Sequence, residues 1–73
     1  MYKIIISGVV PDINKDEFLE ELSQHGEIES LELEDSTATV TTKNYDTAVG
    51  VHIDYNGRYL RGKPVTAELI LPN

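Results

Sequence analysis

The sequence has no cysteine and few basic residues, with six Lys and Arg against 13 Asp and Glu in 73 positions. Without cysteine, the chain can form neither a disulfide framework nor a thiolate metal site. No apolar run approaches the roughly 20 residues that span a bilayer. Residues 1–8 lack the apolar segment and cleavage site of a signal peptide. We therefore expect a soluble, intracellular protein.

The remaining composition suits one small folded domain, which we place at residues 1–73. Hydrophobic residues make up 40% of the chain, which is too many for intrinsic disorder. A chain of this length buries only about 60% of its unfolded surface. We expect one thin core, no deep enzyme cleft and a monomeric domain.

The negative charge is concentrated in the first half of the chain. Residues 1–35 hold ten acidic residues and two lysines, a net charge of −8, whereas residues 36–73 hold three acidic and four basic residues, a net charge of +1. Phosphate polymers are held mainly by Lys and Arg, so most of this surface is expected to repel them. The acidic stretch serves either solubility or recognition of a partner, and the sequence leaves both open.

Local patterns in the first half predict a strand, a helix and a tight hairpin. An apolar, β-branched run at residues 3–9 predicts a buried strand. Asn14 is a suitable N-cap for a helix over residues 15–25, which Gly26 ends. Alternation around Leu31 and Leu33, and again over residues 37–42, predicts two strands joined at Asp35-Ser36.

The second half predicts one more helix and one more strand. Asn44 is a second N-cap, and Asn56-Gly57 ends the helix that follows. Alternation over residues 65–70 predicts the last strand. The order βαββαβ is the ferredoxin-like α+β arrangement, in which a four-stranded antiparallel sheet carries two helices on one face.

Three stretches resemble the RNA recognition motif (RRM) family, and within it the REF/ALY class of messenger-RNA export adaptors. Residues 3–7 are similar to the Lys-Leu-Leu-Val-Ser first strand of that class, and residues 37–40 to its Thr-Ala-x-Val third strand. Residues 55–64 match its Tyr-Asn-Gly-x-x-Leu-x-Gly-[Arg/Lys]-Pro ending. The resemblance covers essentially the whole chain and implies an intracellular, nuclear or nucleocytoplasmic domain of messenger-RNA processing or export.

The sequence departs from the RRM pattern where RNA bases would stack. The motif positions that carry aromatic side chains in the family are here Ile5, Thr37 and Thr39. Base stacking on such aromatics contributes roughly 1–3 kcal/mol per base. We therefore expect weak or no RNA binding by the sheet, where Lys3 is the basic residue beside these positions.

Residues 58–63 form the other candidate RNA site. This segment holds Arg58, Tyr59, Arg61 and Lys63, which combine phosphate-binding cations with a stacking ring. The structural alternative, which we expect for this segment, is a loop in which Tyr59 and Leu60 pack on the sheet edge while the charged side chains stay solvated.

A third candidate surface is apolar and lies on the helices. Leu19, Val49 and Ile53 occupy helix positions that are usually exposed, and Val49 and Ile53 are four residues apart on one face. With an acidic rim, such a face suits a basic partner peptide or protein. The alternative is ordinary packing, since isolated exposed apolar residues are common.

Nothing in the sequence predicts catalysis, a metal site or a cofactor. His25 and His52 have no nucleophile at a suitable spacing, and the carboxylates of Glu32, Glu34 and Asp35 lack the spacing of a calcium loop. The leading hypothesis is a non-catalytic RRM-like adaptor that acts mainly through protein contacts. The rival is a single-stranded RNA-binding module that uses the basic segment at residues 58–63.

Overall fold

The structure is a computed structural model that describes residues 1–72. Its elements are β1 (Tyr2–Ser7), α1 (Lys15–Ser23), β2 (Ser30–Glu34), β3 (Thr37–Thr42), α2 (Tyr45–Tyr55), β4 (Tyr59–Leu60), β5 (Lys63–Pro64) and β6 (Thr66–Ile70). The predicted ferredoxin-like order is confirmed. Two short strands were not predicted: β4 and β5 pair as an antiparallel hairpin between α2 and β6.

The four long strands form one antiparallel sheet in the order β2-β3-β1-β6. Alternate residues of the central strand β1, Ile4 and Ile6, are fully buried beneath the helices. Five residues of the two helices are also buried, namely Phe18, Leu22, Ala48, Val51 and Tyr55. Both helices therefore cover one face of the sheet, and the other face, here called the open face, is left uncovered by any other element of residues 1–72.

Both helices begin where the sequence predicts. The Asn14 side-chain oxygen accepts a hydrogen bond from the Glu17 backbone N–H at 3.0 Å. The Asn44 side chain accepts in the same way from the Thr47 N–H at 3.0 Å. Each bond satisfies one of the backbone donors that a helix leaves free at its start, so the two caps set the first residues of α1 and α2.

Helix α1 ends at Ser23, two residues before the predicted end. The N–H groups of His25 and Gly26 donate to carbonyls three residues back rather than four, which tightens the chain into a turn. Gly26 has φ +143°, and a Cβ there would lie 2.1 Å from Thr47 Oγ1. Glycine is therefore required where this turn approaches α2.

The strand predicted at residues 3–9 also ends early, at Ser7. Gly8 adopts φ +93°, and the N–H groups of Gly8 and Val9 both donate to the Ser36 carbonyl at 2.9 Å. The last strand starts at Thr66 rather than at Val65, because the Val65 N–H donates to the Arg58 carbonyl at 2.8 Å. Val65 thus continues the pairing of the β4–β5 hairpin.

Helix α2 tolerates its internal glycine because another side chain occupies the space beside it. A Cβ on Gly50 would lie 3.1 Å from His25 Nδ1, so the imidazole packs directly against the helix. His25 Nε2 is also 2.9 Å from Asp54 Oδ2. Gly50 therefore brings the end of α1 close to α2. Neither helix of residues 1–72 has the length and apolar character needed to cross a membrane.

Candidate binding site

The open face has the predicted register but none of the family's stacking rings. Ile5 of β1 lies between Thr39 of β3 and Glu68 of β6. The strand residues on this face are Lys3, Ile5, Ser7, Ser30, Glu32, Glu34, Thr37, Thr39, Thr41, Thr66, Glu68 and Ile70. None of these strand residues is aromatic, so a base has no ring on which to stack.

The charge of the open face also opposes RNA. It carries three glutamates and one lysine, and two of the glutamates with Asp35, Thr37 and Thr39 line a shallow depression at the β2–β3 end. Four of the predicted RNA-contact residues, Lys3, Ile5, Thr37 and Thr39, do share this face, as their alternation required. The structure brings them together in acidic surroundings. Across residues 1–72, no group of three or more His, Asp and Glu side chains is arranged to hold a metal ion.

Arg58 is held by the helices rather than solvated, which corrects the expectation for the loop. Its Nη1 is 2.6 Å from Glu21 Oε1 and 3.3 Å from Asp54 Oδ2. Its guanidinium carbon lies 5.0 Å from the centre of the Tyr55 ring. Burial is the largest single influence on the pKa of Arg58 and lowers it, but the interactions with Glu21, Tyr55 and Asp54 together outweigh burial, so the pKa is raised. Arg58 therefore ties α1, α2 and the hairpin together.

The same carboxylate also holds a buried tyrosine. The Tyr55 hydroxyl donates to Glu21 Oε1 at 2.7 Å, and the Tyr55 ring meets the Phe18 ring edge-on with centres 5.6 Å apart. Burial raises the pKa of Tyr55, and the hydrogen bond to Glu21 raises it further. Glu21 thus joins the aromatic core to the polar edge of the helix layer.

The rest of the basic segment points in several directions. The Tyr59 side chain is 68% exposed, whereas Leu60 packs against the core, so the expectation that both pack on the sheet edge is wrong for Tyr59. Lys63 is exposed on β5. Arg61 Nη1 lies 3.7 Å from Asp12 Oδ2. Of the four candidate RNA-contact residues of this segment, three therefore remain accessible, namely Tyr59, Arg61 and Lys63.

A cleft of about 160 Å³ lies between α1 and the β4–β5 hairpin. Its lining consists of Ile13, Asn14, Glu17, Phe18, Glu21, Leu60 and Arg61. Phe18 is buried, and Ile13 and Leu60 pack against the core, so these three make an apolar floor. The cleft combines an apolar interior with a charged rim, which is the usual composition of a small binding site.

The rim of this cleft on the α1 side is acidic. Glu17 and Glu21 are four residues apart and line both the cleft and a neighbouring depression shared with Glu20 and Gln24. Arg58 compensates the charge of Glu21. Glu17 and Glu20 form none of the ion pairs found among residues 1–72. One uncompensated carboxylate, that of Glu17, therefore lines the cleft, and a second, that of Glu20, lines the depression beside it.

The three predicted partner-contact residues do not form this cleft. Leu19 and Val49 are half-buried, and Ile53 is 70% exposed. None of the three lines the cleft at α1. The shared floor of Ile13, Phe18 and Leu60 was not predicted from the sequence. The available signals were the i, i+4 spacing of Glu17 and Glu21 and the leucine of the residue 55–64 motif.

Comparisons of the fold with solved structures give close matches to RRM domains. The chain is similar to Pes4 RRM3, with 27% identity, a TM-score of 0.86 and coverage of 100% of this chain and 95% of that one. It is similar to the RRM domain of S. pombe Puf1, with 15% identity, a TM-score of 0.85 and coverage of 97% and 99%. A structure of the Rna15 RRM with bound GU RNA matches with 12% identity, a TM-score of 0.81 and coverage of 90% and 79%.

Comparisons of the sequence find no match, in contrast to the comparison of the fold. No protein-family model matches it, and no curated protein is significantly similar. The element order, the strand order and these structural matches agree with one another. The chain therefore has the fold of an RNA recognition motif.

Proposed function

We propose that the chain is a non-catalytic protein-binding domain that takes a basic partner segment with one apolar side chain into the cleft between α1 and the β4–β5 hairpin. The observation that carries this proposal is the pairing of an acidic rim with an apolar floor at that cleft. It keeps the adaptor role that the REF/ALY resemblance implies, in messenger-RNA processing or export within the cell.

The size of the cleft selects one side chain rather than a larger ligand. A cavity of about 150 Å³ lined by apolar side chains is enough to bind benzene, and this cleft measures about 160 Å³. Burying one Leu-sized or Phe-sized side chain contributes about 1.5–3 kcal/mol. That range corresponds to roughly 10–150-fold in Kd, so a single apolar anchor accounts for much of the affinity of a short segment.

The charge of the rim selects the residues around the anchor. Glu17 and Glu20 attract Lys or Arg of the partner, and the net charge of −7 speeds encounter with a cationic segment. Exposed ion pairs contribute at most about 1 kcal/mol each. The apolar side chain is therefore the main source of affinity, and the basic residues supply selectivity.

Fluorescence anisotropy with a labelled arginine-rich peptide containing one phenylalanine tests this proposal. We expect binding that weakens when the phenylalanine is replaced by serine and disappears when the arginines are replaced by glutamate. Glu17→Gln is expected to weaken binding several-fold. Glu32→Gln is the matched control, because it removes the same charge from the open face. Equal effects of the two substitutions contradict a site at the cleft.

Single-stranded RNA binding by the hairpin is the second candidate, and the 68% exposure of Tyr59 favours it. The same hairpin carries Arg61 and Lys63, and a ring with two cations suits a base and its phosphates. In a titration with a short mixed-sequence RNA at near-physiological salt, amide shifts concentrated at residues 58–63 with low-micromolar affinity support RNA binding. Loss of that affinity in Tyr59→Ala assigns it to the hairpin, and no shift contradicts it.

A further inference from the structure

Arg61 is the one basic residue among those that line the cleft. It lies on the turn of the β4–β5 hairpin, and its Nη1 is 3.7 Å from Asp12 Oδ2. Asp12 directly precedes Ile13 and Asn14, which line the cleft on the α1 side, whereas Leu60 lines it on the hairpin side. The Arg61 side chain therefore reaches from one wall of the cleft to the segment that begins the other.

The turn that carries Arg61 is unfavourable for arginine. Arg61 and Gly62 have φ +53° and +79° between the paired residues Leu60 and Lys63. A two-residue hairpin turn with both φ values positive favours Asn, Asp or Gly at its first position. A side chain that opposes the local backbone preference indicates a role for the side chain itself. The contact of Arg61 with the cleft and with Asp12 suggests what that role is.

We infer that Arg61 is a selectivity residue that competes internally for the acidic groups around the cleft. In the free protein its guanidinium pairs with Asp12, and a cationic residue of the partner displaces it. The side chains of Arg61 and Asp12 are 53% and 77% exposed, so the pair is weak enough to exchange. This inference rests on the proposed function, because it requires a basic segment in the cleft.

The consequence is a threshold on the partner's charge. If a partner segment has only one or two basic residues, it gains little affinity when one of them replaces Arg61 at Asp12. A strongly basic segment supplies that cation and still has others for Glu17 and Glu20. The presence of Arg61 thus raises the number of basic residues that a partner needs.

The test compares Arg61→Asn with Lys63→Gln, using the arginine-rich peptide that contains one phenylalanine. Asn tolerates the left-handed turn, so Arg61→Asn removes the charge without straining the hairpin. Lys63→Gln removes the same charge from a position outside the cleft lining. We expect Arg61→Asn to tighten binding by up to about fivefold, and Lys63→Gln to change it less.

A double-mutant cycle with Asp12→Asn isolates the Arg61–Asp12 pair. In the Asp12→Asn background, Arg61→Asn is expected to increase the affinity for the peptide much less than in the native chain. In an Asp16→Asn background, Arg61→Asn is expected to increase the affinity as much as in the native chain. Equal effects of Arg61→Asn and Lys63→Gln, or additivity with Asp12→Asn, overturn the role of Arg61 while leaving the proposed function standing. If neither the native chain nor the Arg61→Asn variant binds the peptide, the role of Arg61 and the proposed function are both contradicted.

Discussion

The two faces of this domain are built from the same strands and have opposite characters. The face beneath the helices packs Ile4 and Ile6 against a single core and carries a cleft with an apolar floor at its edge. The open face presents threonines and glutamates, and Ile5 lies among them. Alternation along each strand separates the two sets completely. The cleft at the helix face is lined partly by apolar side chains, whereas the depression described on the open face is lined by Glu, Asp and Thr.

This difference separates the fold of the chain from the usual RNA-binding surface of that fold. RRM domains that stack bases use aromatic side chains on the open face, and here those positions are Ile5, Thr37 and Thr39. Fold alone does not determine function. The function proposed for this chain therefore depends on the side chains at the cleft rather than on the architecture.

The largest expected effect is on the helix face. Phe18 is 4% exposed, contacts Tyr55 and forms part of the cleft floor. Phe18→Ala should cost about 3–5 kcal/mol, which is most of the stability of a domain this small. Urea denaturation followed by circular dichroism measures it. A melting curve close to that of the native chain contradicts the placement of α1 over the core.

The open face should gain RNA binding if its missing features are restored. Thr39 lies opposite Ile5 and Glu32, so Thr39→Phe with Glu32→Lys places a ring beside a cation. Stacking one base is expected to strengthen RNA binding by about 1–3 kcal/mol, or roughly 5–150-fold. Electrophoretic mobility shift with a short single-stranded RNA checks the gain. No gain in a folded variant means that the lack of aromatics does not explain the weak binding expected of this face.

A smaller effect on stability is expected from the hydrogen bond between Tyr55 of α2 and Glu21 of α1. Tyr55→Phe removes the 2.7 Å hydrogen bond to Glu21 and should cost about 1 kcal/mol near neutral pH. Tyr59→Phe is the matched control, because Tyr59 is exposed. Chemical denaturation of both variants measures the difference, and equal costs contradict a stabilising role for the Tyr55 hydroxyl.

Tyr55 also makes the free energy of unfolding depend on pH in the alkaline range. Its pKa is raised in the folded chain above the ordinary value of about 10. The folded state therefore keeps a proton that the unfolded state releases above that pH. The contribution of this pKa shift to the free energy of unfolding is complete below pH about 10. It is lost as the pH rises further, by at most ~1.4 kcal/mol per pH unit. The native chain should lose stability between neutral pH and pH about 11 more steeply than Tyr55→Phe, and parallel slopes contradict this.

The smallest effect is expected on the open face. Glu32 and Glu34 are exposed and have neither core contacts nor ion pairs among the described residues. The double variant Glu32→Lys, Glu34→Lys should change the free energy of unfolding by no more than about 0.5 kcal/mol. Thermal unfolding measures it. A large loss means that the register of β2 differs from the one described here.

Local patterns were enough to predict the element order, and period-two alternation predicted the composition of the open face. Thr37–Thr42 and its neighbour β2 pair in the predicted register, and both N-caps lie where Asn14 and Asn44 indicate. The β4–β5 hairpin was missed because strands of two residues show no periodicity. The end of α1 was misplaced because the turn there depends on the approach of Thr47 to Gly26.

The candidate site was harder to predict, since its residues are distant in the sequence. Ile13, Phe18 and Leu60 meet only after the hairpin packs beside α1. Arg58 was expected to be solvated because nothing local marks Glu21 as its partner 37 positions away. Contacts of this kind follow from tertiary packing, which single-sequence patterns do not contain.

The most direct test of the central claim is a backbone-amide NMR titration of the native chain with the arginine-rich peptide. We expect the shifts to concentrate at residues 12–21 and 58–62, around the cleft, and those of β2 and β3 to be small. The same titration with the serine-substituted peptide should give much smaller shifts. Shifts concentrated on the open face around Glu32 and Thr39, or the same response to both peptides, would contradict the claim that this domain binds partners through its helix face.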